Sequence, residues 1–159
     1  MKLLKNRQII DDTWTTLSLE ETIIPGDIII PFERWKSEQT SLTSHEGKLG
    51  VLISSDTNID EVIQAMDNFA LVALNFPKYT DGTCFSYGFL LRERHNFAGE
   101  LRAVGDVFQD QFSYLERCGF DAIQLEDEAA LEAGKQSFEE ISVTYQSSAD
   151  KAEPFYRVR

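Results

Sequence analysis

The sequence is poor in the residues that build metal and redox centres. Only two of its 159 residues are cysteine and two are histidine. Cys84 and Cys118 do not form a CxxC, and His45 and His95 show neither HxH nor HExxH spacing. A zinc site and an iron–sulfur or siroheme framework are therefore unsupported. The two thiols read as free, buried filler in apolar helical contexts. The nine glycines form no GxGxxG after a strand, no P-loop and no GxSxG elbow. A self-contained Rossmann oxidoreductase lacks its fingerprint, and no cofactor is expected. Long apolar runs are missing too. "MKLLKNRQIIDD" starts basic, but its apolar stretches are too short for a signal peptide or a membrane span, so a cytoplasmic protein is expected. Basic residues are in deficit, 15 against 27 acidic, for a net charge of -12 and a pI near 4.5. Such a surface repels phosphate backbones and anionic lipid, which argues against nucleic-acid and membrane-surface binding. It suits a partner with a basic face.

What remains is an ordinary globular composition, 42% hydrophobic and 26% charged, in a chain long enough for one domain with a real core. Residues 1–48 form a β-rich N-terminal segment, in which "QIIDDTWTTLS" and "DIIIPFERW" read as strands joined through the Pro25-Gly26 turn. A short helix around "FERWKSE" and a polar loop, "SEQTSLTSHEGK", follow. Residues 49–146 are regular. Apolar strands starting near 49, 70, 100, 122 and 143 alternate with amphipathic helices, such as Ile59, Val62, Ile63 and Met66 at helical spacing. This predicts α/β architecture, a mainly parallel sheet of right-handed βα units. Both an open doubly wound sheet and a partial barrel fit. Residues 147–159 form a polar, then aromatic and basic tail.

In such sheets ligands gather at the carboxyl ends of the strands. Four loops lie there: "SSDTN", "NFPKYTDGT", "GDV" and "EDE", bringing Ser54, Ser55, Lys78, Thr80, Asp81, Asp106, Glu126 and Asp127 together. Capping competes with chemistry at several of them. Asp106 precedes Gln109 at the capping-box offset, Asn58 precedes Glu61 likewise, and Asp127 precedes a helix. Arg92, Arg94 and His95 end a helix, where cations complement its dipole in solvent. Arg102 is harder to dismiss. It sits inside the strand "ELRAVG", where a buried guanidinium needs a carboxylate or an anionic ligand, and Asp106, Asp121 and Glu126 are the carboxylates nearest in the pattern.

Several runs also carry a resemblance: Phe76-Pro77, Asp81-Gly82, Ser86, Leu91-Arg92-Glu93-Arg94, Gly99 to Ala103, Gly105-Asp106-Val107, Asp110-Gln111, Arg117 and Gly119-Phe120-Asp121. In order and spacing they resemble the bacterial family catalogued as domain of unknown function 934, often labelled an oxidoreductase of sulfite reduction. Thr83 stands where that family usually has arginine, Gly88 where it has another small residue, and Ile123 where it has an aromatic. The resemblance implies a place beside sulfate assimilation and a siroheme-containing sulfite reductase. Two readings are carried forward. In the first, the chain is an accessory protein binding sulfite reductase or its electron donor. In the second, it is a small anion-binding enzyme or ligand-binding domain using Lys78, Asp81, Ser86, Arg102, Asp106 and Asp110, with arginine holding an anion and a carboxylate as acid or base. A homodimer whose helices complete a core is a third, blander expectation.

Overall fold

The structure, a computed structural model, describes residues 1–78 and 82–140. The chain opens with an antiparallel hairpin, β1 (Lys2–Lys5) and β2 (Gln8–Asp11), with Leu4 opposite Ile9. Asn6 and Arg7 take φ values of 50° and 65°. These are the left-handed conformations that a two-residue hairpin turn requires. Next come β3 (Thr15–Thr16) and β4 (Ile28–Pro31), and then α1 (Phe32–Leu42), β5 (Leu49–Ser54), α2 (Ile59–Ala65) and β6 (Leu71–Phe76). The chain continues through α3 (Thr83–Phe89), which passes into a wider turn over Leu90–Arg94, and β7 (Glu100–Gly105). A short helical turn (Gln109–Gln111), α4 (Phe112–Arg117), β8 (Ala122–Ile123) and α5 (Glu128–Glu140) complete the described residues. The strand expected at "VTYQ" lies outside them.

From β3 to β8 the strands lie side by side in chain order, all parallel; Leu71 faces Glu100 and Ala73 faces Arg102 across β6 and β7. A strand order that never reverses, joined by right-handed crossovers, puts every helix on one face of the sheet. The packing agrees. Helical residues such as Trp35, Val62, Phe85, Leu115 and Leu131 all join one core with Ile28, Val51, Val72, Leu74 and Leu101 from the strands. The opposite face carries a small separate cluster, Ile29, Leu71 and Ala73, against which Trp14, Leu52 and Val104 pack. The sheet is thus singly wound and barrel-like, and the doubly wound alternative falls away.

Curvature follows from chain length. The full order is β2-β1-β8-β7-β6-β5-β4-β3, so β2 and β3 form opposite edges, yet only Asp12, Thr13 and Trp14 separate them in sequence. Eight strands laid flat would hold those edges about 34 Å apart, at about 4.8 Å per step. The connection can span only about 14 Å. The sheet must therefore curl into a half-barrel, and the Asp12–Trp14 strap crosses its concave side.

The N-terminal region departs from expectation in three ways, the first being that "QIIDDTWTTLS" is not one strand but β2 and β3, parted by the Asp12–Trp14 strap and lying at opposite edges of the sheet. The strand Lys2–Lys5 is additional, and "SEQTSL" is not loop but the second half of α1, which buries Phe32, Trp35 and Leu42 on one side. With β4 and α1 the βα series begins before residue 49. At the other end, β8 is only two residues long, and β1 pairs antiparallel along it through Leu4 and Ile123.

Candidate functional site

Arg102 is 1% exposed, the largest side chain so deeply buried. Its Nε donates to Glu100 Oε1 at 2.8 Å, and its Nη1 donates to Asp12 Oδ2 at 2.9 Å and Gln124 Oε1 at 3.0 Å. The partner carboxylates are themselves buried, with side chains 7% exposed for Asp12 and 9% for Glu100. Lys5 Nζ reaches the second oxygen of Glu100 at 2.8 Å, so two cations and two anions form one neutral chain. Asp12 also fixes its own strap, since its Oδ1 accepts from the Trp14 amide at 3.1 Å. The carboxylates supplied to Arg102 therefore come from its own strand and from the strap. They are not the Asp106, Asp121 and Glu126 that the sequence pattern suggests.

The other sequence candidates are spread over the strand ends. Lys78, Ser86, Asp106 and Asp110 are all exposed, while Thr80 and Asp81 lie outside the described residues. The turn after β7 is shaped by Gly105, at φ 91°. A Cβ there would meet Asn75 Oδ1 and, at 2.6 Å, the Phe76 carbonyl oxygen, which instead accepts from the Asp106 amide at 2.9 Å. Phe108, not Asp106, stands immediately before the next helical turn, and its amide donates to Gln111 Oε1 at 3.0 Å. The other two caps are as expected: Asn58 Oδ1 accepts from the Asp60 amide at 3.1 Å, and Asp127 Oδ1 from the Ala129 amide at 2.9 Å. A cavity of about 270 Å³ does open at the ends of β4, β5 and β6, lined by Pro31, Leu52, Ser54, Asp56, Thr57 and Asn75 among others. Of the strand-end candidates among the described residues it takes up Ser54 alone.

Arg92 corrects another expectation. It is no solvated helix end. Its Nε donates to the Gly119 carbonyl at 3.1 Å, its Nη1 to the Phe97 carbonyl, and its Nη2 to the Gly99 carbonyl at 3.2 Å and Asp121 Oδ2 at 2.5 Å. Asp121 Oδ2 accepts in turn from the Leu101 amide at 2.9 Å. One guanidinium thus ties the end of α3 to β7 and to the approach to β8. The reason is geometric: the chain after Arg94 doubles back, with His95 N donating to Leu90 O and Phe97 N to Leu91 O, and this surrounds Arg92 with carbonyls.

Two further features involve α3 and α4. Cys84 and Cys118 are buried free thiols, as the sequence suggests. Beside Cys118 runs a groove of about 610 Å³ lined by Phe85, Phe89, Leu90, Arg94 and Tyr114. The electrostatic influence of the neighbouring Cys118 sulfur, then partial burial, then a hydrogen bond to that sulfur push the Tyr114 hydroxyl above its usual value. Among the described residues no group of three or more His, Cys, Asp and Glu side chains could hold a metal, and no helix is long and apolar enough to cross a membrane.

A curled, singly wound sheet with all its helices outside and a neutralised arginine beneath a strap defines an α/β half-barrel of βα units. Within that class the chain belongs to the family described as bacterial protein of unknown function (DUF934), whose model matches residues 50–156. No curated protein and no solved structure matches it. Several family-signature residues now have structural tasks: Arg92 and Asp121 bond each other, Glu100 holds Arg102, and Gly105 makes the turn after β7.

Proposed function

We propose that the chain is an accessory protein of assimilatory sulfite reduction that acts by contact with sulfite reductase or its electron donor, with no catalysis of its own. The observation that carries this reading is the internal neutralisation of Arg102 by Asp12 and Glu100. The cation best placed to hold an anion in the interior is already matched, and Lys78, Ser86, Asp106 and Asp110 stand exposed. The pathway comes from the family resemblance. Deleting the gene tests it: growth on sulfate should fail while growth on cysteine survives. Purified sulfite reductase should also be retained on the immobilised protein, and the reading is lost if no complex forms and reductase turnover is unaffected.

A second reading, a small ligand-binding domain, draws on the strand-end cavity with Ser54, Asp56, Thr57 and Asn75. Its polar side chains favour a neutral polar ligand or a cation over sulfite, since Asp56 brings negative charge to the wall. Calorimetric titration with sulfite, sulfate and small polyols distinguishes these cases. A polyol affinity lost on Ser54→Ala would favour this second reading over the first.

A further inference from the structure

The groove between α3 and α4 differs from the rest of the surface in two respects. Its walls are aromatic and incompletely covered: Phe89 is 38% exposed and Tyr114 50% exposed, although Tyr114 packs on Phe85 with ring centroids 5.0 Å apart. Its rim is cationic in a molecule of net charge -12. Arg94 lines the groove, and the Arg117 guanidinium lies 5.9 Å from the centre of the Tyr114 ring. Among the described residues neither arginine makes an ion pair. Arg7, Arg34, Arg92 and Arg102 all do. The nearby Glu116 is turned to Arg7, with contacts of 2.6 and 2.9 Å.

Aromatic walls with arginines at the edge are the composition of interface hot spots. An open groove between two helices fits the apolar side of a short helix laid into it. We infer that this groove is a docking site for an acidic amphipathic segment of a partner protein, with apolar side chains seated between Phe89 and Tyr114 and carboxylates facing Arg94 and Arg117. A second copy of the chain is the competing occupant, and the test below separates the two. The inference deepens the accessory reading by locating the contact and the charge of what fits it.

The test uses the full chain and a fluorescent helical peptide of about 16 residues with leucines at i, i+4 and i+7 and flanking glutamates. A twin peptide carries lysines in place of the glutamates. The acidic peptide should bind about tenfold tighter than its twin, and Phe89→Glu or Arg94→Glu should weaken it about tenfold. Lys48→Glu, an exposed change elsewhere, should leave binding unchanged. Urea unfolding of each variant shows that the fold is intact. Equal binding of the basic twin, or of the Phe89→Glu chain, overturns the inference. So does a dimer in sedimentation that Phe89→Glu dissociates, because the groove then belongs to a second copy. Sulfite reductase separates this proposal from the broader one. A reductase complex indifferent to Phe89→Glu sinks the groove and spares the accessory role. Peptide binding without any reductase complex does the reverse.

Discussion

Asp12 and Arg102, ninety residues apart in the chain, meet at 2.9 Å beneath the strap that joins the two edges of the sheet. The contact fastens a connection to the middle of the sheet it crosses. It also makes a sharp prediction. Removing the guanidinium leaves Asp12 nearly buried with no cation and Glu100 with Lys5 alone. Arg102→Met should therefore destabilise the fold by about 3–5 kcal/mol in urea unfolding. Adding Asp12→Asn and Glu100→Gln to that variant should recover most of the loss. If Arg102 instead serves a ligand, the single variant unfolds close to the wild type and the added changes bring nothing back.

Arg92 and Asp121 form the second tie. Arg92 gives its protons to three backbone carbonyls as well as to Asp121, so Arg92→Met should cost about 2–4 kcal/mol. A double-mutant cycle with Asp121→Asn should show coupling of about 1–3 kcal/mol. Coupling near zero would mean that the carbonyl contacts alone hold this arginine.

Gly105 and Gly82 should respond oppositely to alanine. At Gly105, φ is 91° and a Cβ meets the Phe76 carbonyl oxygen at 2.6 Å, so Gly105→Ala should cost about 1–3 kcal/mol. At Gly82, φ is -85° and a Cβ meets nothing within 4 Å. Gly82→Ala should be neutral or stabilise by up to about 1 kcal/mol through the unfolded chain. Thermal unfolding of the two variants side by side checks the contrast.

Alkaline pH should act through Tyr114. Its ordinary value is 10.0, and the folded protein raises it through the electrostatic influence of the Cys118 sulfur, burial and a hydrogen bond to that sulfur. A value higher in the folded state than in the unfolded one contributes stability below pH 10 that is lost as pH rises through the folded value. Stability should therefore fall above pH 10, and Tyr114→Phe should flatten that part of the decline. The difference in tyrosinate absorbance between wild type and Tyr114→Phe should have its midpoint above 10. A midpoint at or below 10 contradicts the Cys118 contact.

The parts of this architecture that sequence discloses are those governed by local pattern. β5, β6 and β7 are legible because both faces of each strand are covered, which makes "LGVLIS", "LVALNF" and "ELRAVG" nearly continuous in apolar residues. The burial of Arg102 is legible for the same reason. α1 is obscured because its only buried apolar residues are Phe32, Trp35 and Leu42, and the buried Arg34 and the polar remainder resemble a loop. β1 is obscured by lysines at both ends. The strap partner of Arg102 escapes local reading, because Asp12 reaches it only once the sheet has curled, whereas Glu100 stands two residues before it on the same strand. Arg92 misleads for a related reason: the dipole rule places a cation at a helix end, but only tertiary structure says whether solvent or folded-back carbonyls surround it.

The strap also orders events during synthesis. The hairpin of β1 and β2 is made before β8, the strand it pairs with, Leu4 lying opposite Ile123. Until Ile123 has left the ribosome the hairpin has nothing to pair with, and Asp12 cannot reach Arg102 before β7 exists. The middle strands from β4 to β7 can assemble in the order they appear, each on its predecessor. The hairpin is thus secured only after β8 has been made, and the half-barrel closes through a contact of large sequence separation.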